Sequence, residues 1–343
     1  MKLYIYTDYK NQEIPFESSR VRKNFKGLLE LINESYATQN ATAYYNIAQY
    51  FTINDVTTLD LETRYRNIIN GVTIFYNECE SENGIFSKDK DGVNYLISKS
   101  IIEKINTFDF VIVPSEKARS FLRKEGVYNS VFVLNPGIKF SKFEFNDPSF
   151  KDIFYRVVGL NKDTKIIVSV IKDDDYEAVR KIVLIANQCK NYKYVVLSEQ
   201  NNRKLVKKNK KYFNKCASNI MYLPLLDDDA YSSLMFNADI FINVNSFYSN
   251  VVEIMEAMAS KTQIFSLKSS IFEDILVDNE NAYIYNDLGL LIEGINKYIN
   301  GELISLKEKA YEYAKNYSLL TYGSELVKVY KKIEEEVKKN DWS

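Results

Sequence analysis

The 343-residue chain contains no histidine. That absence excludes Ser-His-Asp and Cys-His catalysis, HExxH zinc sites and imidazole proton shuttles from anything the chain does alone. Proton and charge work falls to carboxylates, lysine, tyrosine, cysteine, backbone dipoles or the substrate itself. Glycine is scarce: 11 residues, roughly half of the usual ~7%, so phosphate cradles made of glycine are scarce too. Three cysteines, Cys79, Cys189 and Cys216, stand far apart without ligand spacing. They argue against a disulfide framework or a structural zinc site, and fit a reducing compartment. Neither sign of charge dominates, with 45 Lys plus Arg against 46 Asp plus Glu, so no global field draws the chain to nucleic acid. No stretch approaches the ~18 consecutive apolar residues of a membrane span. The start, Met1-Lys2-Leu3-Tyr4-Ile5-Tyr6, has one basic residue and no apolar signal segment. The expectation is a cytoplasmic chain.

What is present is aromatic and periodic: 27 Tyr, 20 Phe, and short β-branched runs alternating with longer helical patterns. At about 150 residues per domain the length suits two domains, and the alternation predicts βα units on parallel sheets. Lys2 to Thr7, Val72 to Tyr76, Phe110 to Val113 and Val131 to Leu134 read as strands, with helices at Arg20 to Asn33, Asn94 to Asn106 and Ser115 to Lys124. Pro136 to Asp163 breaks the rhythm and is read as the connection. Beyond it, strands are predicted at Lys165 to Ile171, Tyr192 to Ser198, Ile220 to Leu223, Ile240 to Val244, Gln263 to Phe265 and Ala282 to Tyr285. Helices are predicted at Tyr176 to Asn187, Asn201 to Phe213, Asp229 to Asn237 and Val251 to Ser260, with a helical tail from Leu303 to Lys339. The domains are set at 1–150 and 151–320, and 321–343 is an amphipathic helix that packs back on the first. The fold class is α/β, two doubly wound domains, and ligands of such sheets bind beyond the carboxyl ends of the strands, here in the cleft between domains.

The sharpest local feature runs from Ser246 to Ser260, just after the strand at Ile240. A polar loop feeding a helix N-terminus offers unpaired N–H groups and a positive dipole end, which suits a diphosphate. Asn250 reads as an N-cap and Glu253 as its capping-box partner. Glu256, one turn on, is not explained by capping; it is either a solvated helix residue or a carboxylate that accepts ribose hydroxyls.

Here the chain resembles nucleotide-sugar-dependent glycosyltransferases of the GT-B architecture, in the retaining group that includes diacylglycerol glucosyltransferases. The segments that carry the resemblance are Phe110 to Glu116, Val131 to Ile138, Ala238 to Asn243, Glu256 to Lys261 and Glu273 to Tyr283. It implies two Rossmann-like domains, an acceptor side in the first half and a donor side in the second. It also implies transfer of a hexose from a nucleotide-diphosphate sugar to a lipid or glycan acceptor at the cytosolic membrane face. Donor binding is carried over to Glu256, to the backbone of Ser249, Asn250, Val251 and Val252, and to Ser18 and Ser19 of the opening loop. Lys172, Tyr248 and Asn77 take the catalytic positions.

The sequence departs from the family at several of these. The first of the family's two donor glutamates falls at Tyr248, and its basic residues after the first donor-domain strand fall near Tyr176 and Glu177. Three aspartates, Asp173 to Asp175, stand where a pyrophosphate would approach. They read as a helix cap rather than a metal site, so no divalent cation and no cofactor is expected beyond the nucleotide-sugar co-substrate. A family histidine falls at Asn77. The rival reading is therefore a catalytically degenerate relative that binds a partner glycosyltransferase. The run from Arg203 to Lys211 is either a solvated face or one drawn to anionic lipid. The helix bearing Arg20, Arg22, Lys23 and Lys26 is the preferred candidate for a peripheral membrane contact.

Overall fold

Strands buried on both faces must be apolar throughout, and parallel neighbours need a crossover between them; both conditions recur along this chain. The computed structural model describes residues 3–5, 36–37, 47–51, 53, 56–62, 68–74, 87–89, 92–94, 99–135, 137–143, 148–173, 175–199, 203–224, 226–245, 251–269 and 272–340. It forms two compact units, Met1–Gly137 with Leu319–Ser343, and Ile138–Ser318.

The first unit holds β1 (Leu3–Ile5), β2 (Tyr36–Ala37), β3 (Ile47–Tyr50), β4 (Ile69–Thr73), an antiparallel pair β5 (Ser87–Asp89) and β6 (Gly92–Asn94), then β7 (Phe110–Val113) and β8 (Ser130–Val133). Six of them make a parallel sheet in the order β2-β1-β3-β4-β7-β8. Its described helices are α1 (Thr58–Glu62), α2 (Lys99–Ile105) and α3 (Glu116–Lys124). Ser115 caps α3 by accepting from the Ala118 amide at 3.1 Å. The strand expected at Val72 to Tyr76 runs instead over Ile69–Thr73. Gly71 is what permits this pairing, because a Cβ there would meet the Phe110 ring at 2.0 Å. β3, which the sequence pattern did not predict, is buried along its whole length.

The second unit opens with α4 (Pro148–Val158), inside the stretch read as a connection. Proline supplies the fixed φ of a first helical position, and Phe154 is buried, its amide donating to Ser233 Oγ at 2.9 Å. Residues 138–150 therefore go with the second unit rather than ending the first. Next come β9 (Ile166–Lys172), α5 (Tyr176–Gln188), β10 (Lys193–Glu199), α6 (Arg203–Cys216), β11 (Ile220–Pro224), α7 (Asp228–Asn237), β12 (Ile240–Asn243), α8 (Val251–Ala259), β13 (Gln263–Leu267), β14 (Tyr283–Tyr285), α9 (Leu288–Ile299) and α10 (Lys307–Ala314). All six strands are parallel, in the order β11-β10-β9-β12-β13-β14. The chain steps outward from β9 to β10 and β11, then returns to β9's other side as β12. A crevice-forming reversal of this kind is where doubly wound sheets hold nucleotides. The core beneath it joins Ile167, Ile182, Tyr194, Phe213 and Phe265.

The helical tail expected from Leu303 to Lys339 is two helices. α10 ends in a short 3-10 turn at Lys315–Tyr317, and Ser318 is extended (φ −65°, ψ 154°). The Ile138 amide donates to Tyr317 O at 2.9 Å, a long-range bond that sequence periodicity does not carry. α11 (Leu319–Asn340) then joins the first unit, where Tyr330 packs edge-on against Phe110 and donates its hydroxyl to Gln49 Oε1 at 3.1 Å.

Candidate functional site

The ends of β9 and β12 and the polar side chains between them meet where the second sheet reverses. Lys172 is the last residue of β9, half-buried. Asn245, just beyond β12, donates from Nδ2 to Val170 O at 2.9 Å, pinning the two strand ends together. Its Oδ1 has no hydrogen-bond partner among the described residues. Asn243 reaches the other way, donating to Ser266 Oγ on β13 at 3.1 Å. Lys181, on the second turn of α5, places its ammonium 3.4 Å from Val244 O and 3.9 Å from Glu177. Sequence reading offered Lys172 or Arg180 as the cation and missed Lys181; Arg180 is exposed, whereas Lys181, one residue on, is half-buried and reaches Val244 O.

The aspartates after β9 divide their work. Asp175 caps α5, accepting from the Ala178 amide at 2.9 Å. Asp173 is buried, and its Oδ1 accepts from both Ser198 Oγ and Tyr222 OH, while Asn209 Nδ2 donates to its carbonyl at 2.8 Å. Burial, together with the Asp173 carboxylate, holds the Tyr222 phenol protonated well above the ordinary tyrosine range. The turn between β9 and α5 is thus fixed from β10, β11 and α6 at once. Sequence reading found none of these partners, because they come from three later elements. Asp174 lies outside the described residues.

α8 begins at Val251 and Val252, both completely buried, so only their backbone amides are offered at the helix N-terminus. Glu253 is also completely buried. Glu256 is 3% exposed, and its Oε2 accepts from Tyr231 OH of α7 at 2.8 Å. It is not a solvated helix residue, and a ribose would have to take over contacts that the carboxylate already makes inside the protein. Tyr248, Ser249, Asn250, Asn77, Ser18 and Ser19 lie outside the described residues, as do the predicted helix at Arg20 and the cap half of the Asn250–Glu253 box. Beyond β13 and β14 lies a cavity of about 250 Å³, bordered by Lys268, Ser269, Glu273, Asp278 and Asn286. No described helix is long and apolar enough to cross a membrane.

No protein-family model and no curated protein matches the chain. Solved structures do. HepE of Anabaena, crystallised with UDP and glucose, superposes with a TM-score of 0.75 at 11% identity, over 97% of this chain and all of that one. A glycosyltransferase of Rickettsia africae gives 0.69 at 13% identity, over 97% of this chain and 98% of its own. Sucrose-phosphate synthase of Thermosynechococcus elongatus gives 0.67 at 12%, over 98% and 89%. The structural neighbours are GT-B glycosyltransferases, and the two parallel-sheet, Rossmann-like units give this chain the same fold.

Proposed function

We propose that the chain is a glycosyltransferase that moves a hexose from a nucleotide-diphosphate sugar to a lipid or glycan acceptor, with the donor held on the second unit. The observation that carries this reading is the convergence, at the reversal between β9 and β12, of Lys172, the Lys181 ammonium and the Asn245 side chain, with α8 as the next described element after β12. A leaving diphosphate develops negative charge, and the two ammonium groups with the α8 N-terminal amides are the donors that would stabilise it. In this reading Glu256, oriented by Tyr231, accepts ribose hydroxyls. Tyr248 replaces a sugar-contacting glutamate, and Ser249 and Asn250 add polar groups to the diphosphate side. Ser18, Ser19 and Asn77 belong to the acceptor unit's share of the site. Without a histidine, rate comes from positioning and charge neutralisation, and no divalent cation or cofactor is required. The HepE complexes with UDP and UDP-glucose support a uridine donor as the first to be tried.

One observation favours the second reading, a catalytically degenerate subunit that binds a partner glycosyltransferase. The first turn of α5 carries Glu177 and no cation. Calorimetric titration with UDP, GDP and their hexose conjugates, with and without magnesium, separates the two. The enzyme reading expects micromolar binding of one nucleotide, unchanged by magnesium. Absence of binding in the folded protein would favour the partner-binding subunit. Glu256→Gln should weaken the nucleotide by about 1–3 kcal/mol, and an unchanged affinity would remove Glu256 from the site.

A further inference from the structure

Helix α6 differs from the other charged helices. Its sequence contains Arg203 and Lys204, Lys207, Lys208, Lys210, Lys211 and Lys215, with no acidic residue. On other helices several cations are matched one turn away: Lys99 with Glu103, Arg119 with Glu116, Lys181 with Glu177, Lys297 with Glu293 and Lys328 with Glu325. Lys207, Lys210, Lys211 and Lys215 enter none of the ion pairs among the described residues. Spacings of three and four align Lys204, Lys207, Lys208, Lys211 and Lys215 into one exposed stripe, opposite the buried Asn209 and Phe213. In a chain of net charge −1 this is a strong local segregation.

The stripe is not purely ionic. α6 packs beside α5, and β9–α5–β10–α6–β11 steps in one direction, so right-handed crossovers put both helices on one sheet face. α5 adds Tyr176, 47% exposed, the exposed Arg180 and Leu184, 53% exposed, while α6 adds Tyr212, 39% exposed. Lys208 lies 4.5 Å from the Tyr176 ring centroid. Of the acids described at the start of α5, Asp175 accepts from the Ala178 amide and Glu177 faces Lys181.

We propose that the α5–α6 face of the second unit docks on a bilayer rich in anionic phospholipid. Flexible ammonium groups are point charges that suit a diffuse anionic surface, whereas rigid bidentate recognition of single phosphates favours arginine. The tyrosines and Leu184 supply the side chains that settle at the headgroup boundary. A base-stacking role fits less well, because Lys208 already occupies one face of Tyr176. The face borders the donor side at Lys204 and Tyr176, but Lys207, Lys211 and Lys215 lie from the second turn of α6 onward, away from the carboxyl ends of the strands, so substituting them tests the membrane contact separately from the donor site.

The test is flotation of the full chain with vesicles of phosphatidylcholine alone and of phosphatidylcholine mixed with phosphatidylglycerol, at low and high salt. Binding should require phosphatidylglycerol and be released by salt. Lys207→Gln, Lys211→Gln and Lys215→Gln combined should lower partitioning about a hundredfold, from the usual contribution of each lysine at such a surface. The exposed Lys309→Gln serves as a control and should leave partitioning unchanged. Equal binding to both vesicle types, absence of binding, or full binding by the triple variant would overturn the proposal. So would lysine-dependent binding of single-stranded RNA without vesicle binding. If the triple variant fails to fold, salt release from the wild type and the three single variants decide the same question.

Discussion

The two units bury polar side chains in different ways. In the first, Gln49 is wholly enclosed: its Nε2 donates to Tyr50 O at 3.0 Å and Thr73 Oγ1 at 2.9 Å, and its Oε1 accepts from Tyr330 at 3.1 Å. That network closes on itself and ties α11 to the sheet. In the second, one group of buried polar side chains, Asp173, Asn243 and Asn245, stands at the carboxyl ends of the strands, next to the reversal in strand order. Both sheets are parallel and six-stranded, so topology alone does not assign a ligand to either. What each network holds does discriminate: Gln49 and Thr73, near the ends of β3 and β4, tie a helix to the sheet, whereas Asp173 fixes a turn beside the reversal in strand order that can meet a ligand.

The comparison breaks most visibly at Asp173. Asp173→Ala leaves the Ser198 and Tyr222 hydroxyls without their acceptor, and the expected loss is about 3 kcal/mol in chemical unfolding. Because the same carboxylate fixes the turn that carries Lys172, nucleotide affinity should fall as well. Retained affinity would mean that the network serves packing alone, as in the first unit. Tyr330→Phe is the counterpart, with an expected cost of about 1 kcal/mol from the lost hydrogen bond to Gln49 and no change in nucleotide affinity by calorimetry. The smallest effect near neutrality concerns Cys189. Burial pushes its thiol up to about 11 and pushes the neighbouring Tyr192 phenol up to about 12. The folded state therefore holds these protons more tightly than the unfolded chain. Their contribution is complete below the ordinary thiol pKa of ~8.5 and is lost as pH rises toward those values. Unfolding followed over that alkaline range should show the decline, and Cys189→Ala should flatten its lower part.

How much of this was legible varies with the element. The strands of the second unit stand close to their predicted bounds, because apolar runs such as Ile166–Lys172 and Ile240–Asn243 have no other way to be buried. α9 was not predicted. Its Gly289 and Gly294 lower helix propensity, and at Gly294 an added Cβ would meet the Tyr285 hydroxyl oxygen at 2.0 Å, so the glycine answers to packing. α4 was hidden by Pro148, which reads as a breaker and stands at a helix start. At the site, the α8 segment and Lys172 were visible as local patterns, whereas Lys181 and the ligands of Asp173 were not.

By itself the sequence determined the absence of histidine chemistry, the alternation that makes two parallel sheets and the unusual charge of α6, since composition and periodicity are local properties of the chain. The tertiary structure decided that residues 138–150 and the tail divide between different units, that Asp173 is a buried acceptor instead of a surface cap, and that Lys181 reaches β12. Each of these depends on which distant elements the strand order brings together. That order is set by crossovers and long-range packing that no window along the chain contains.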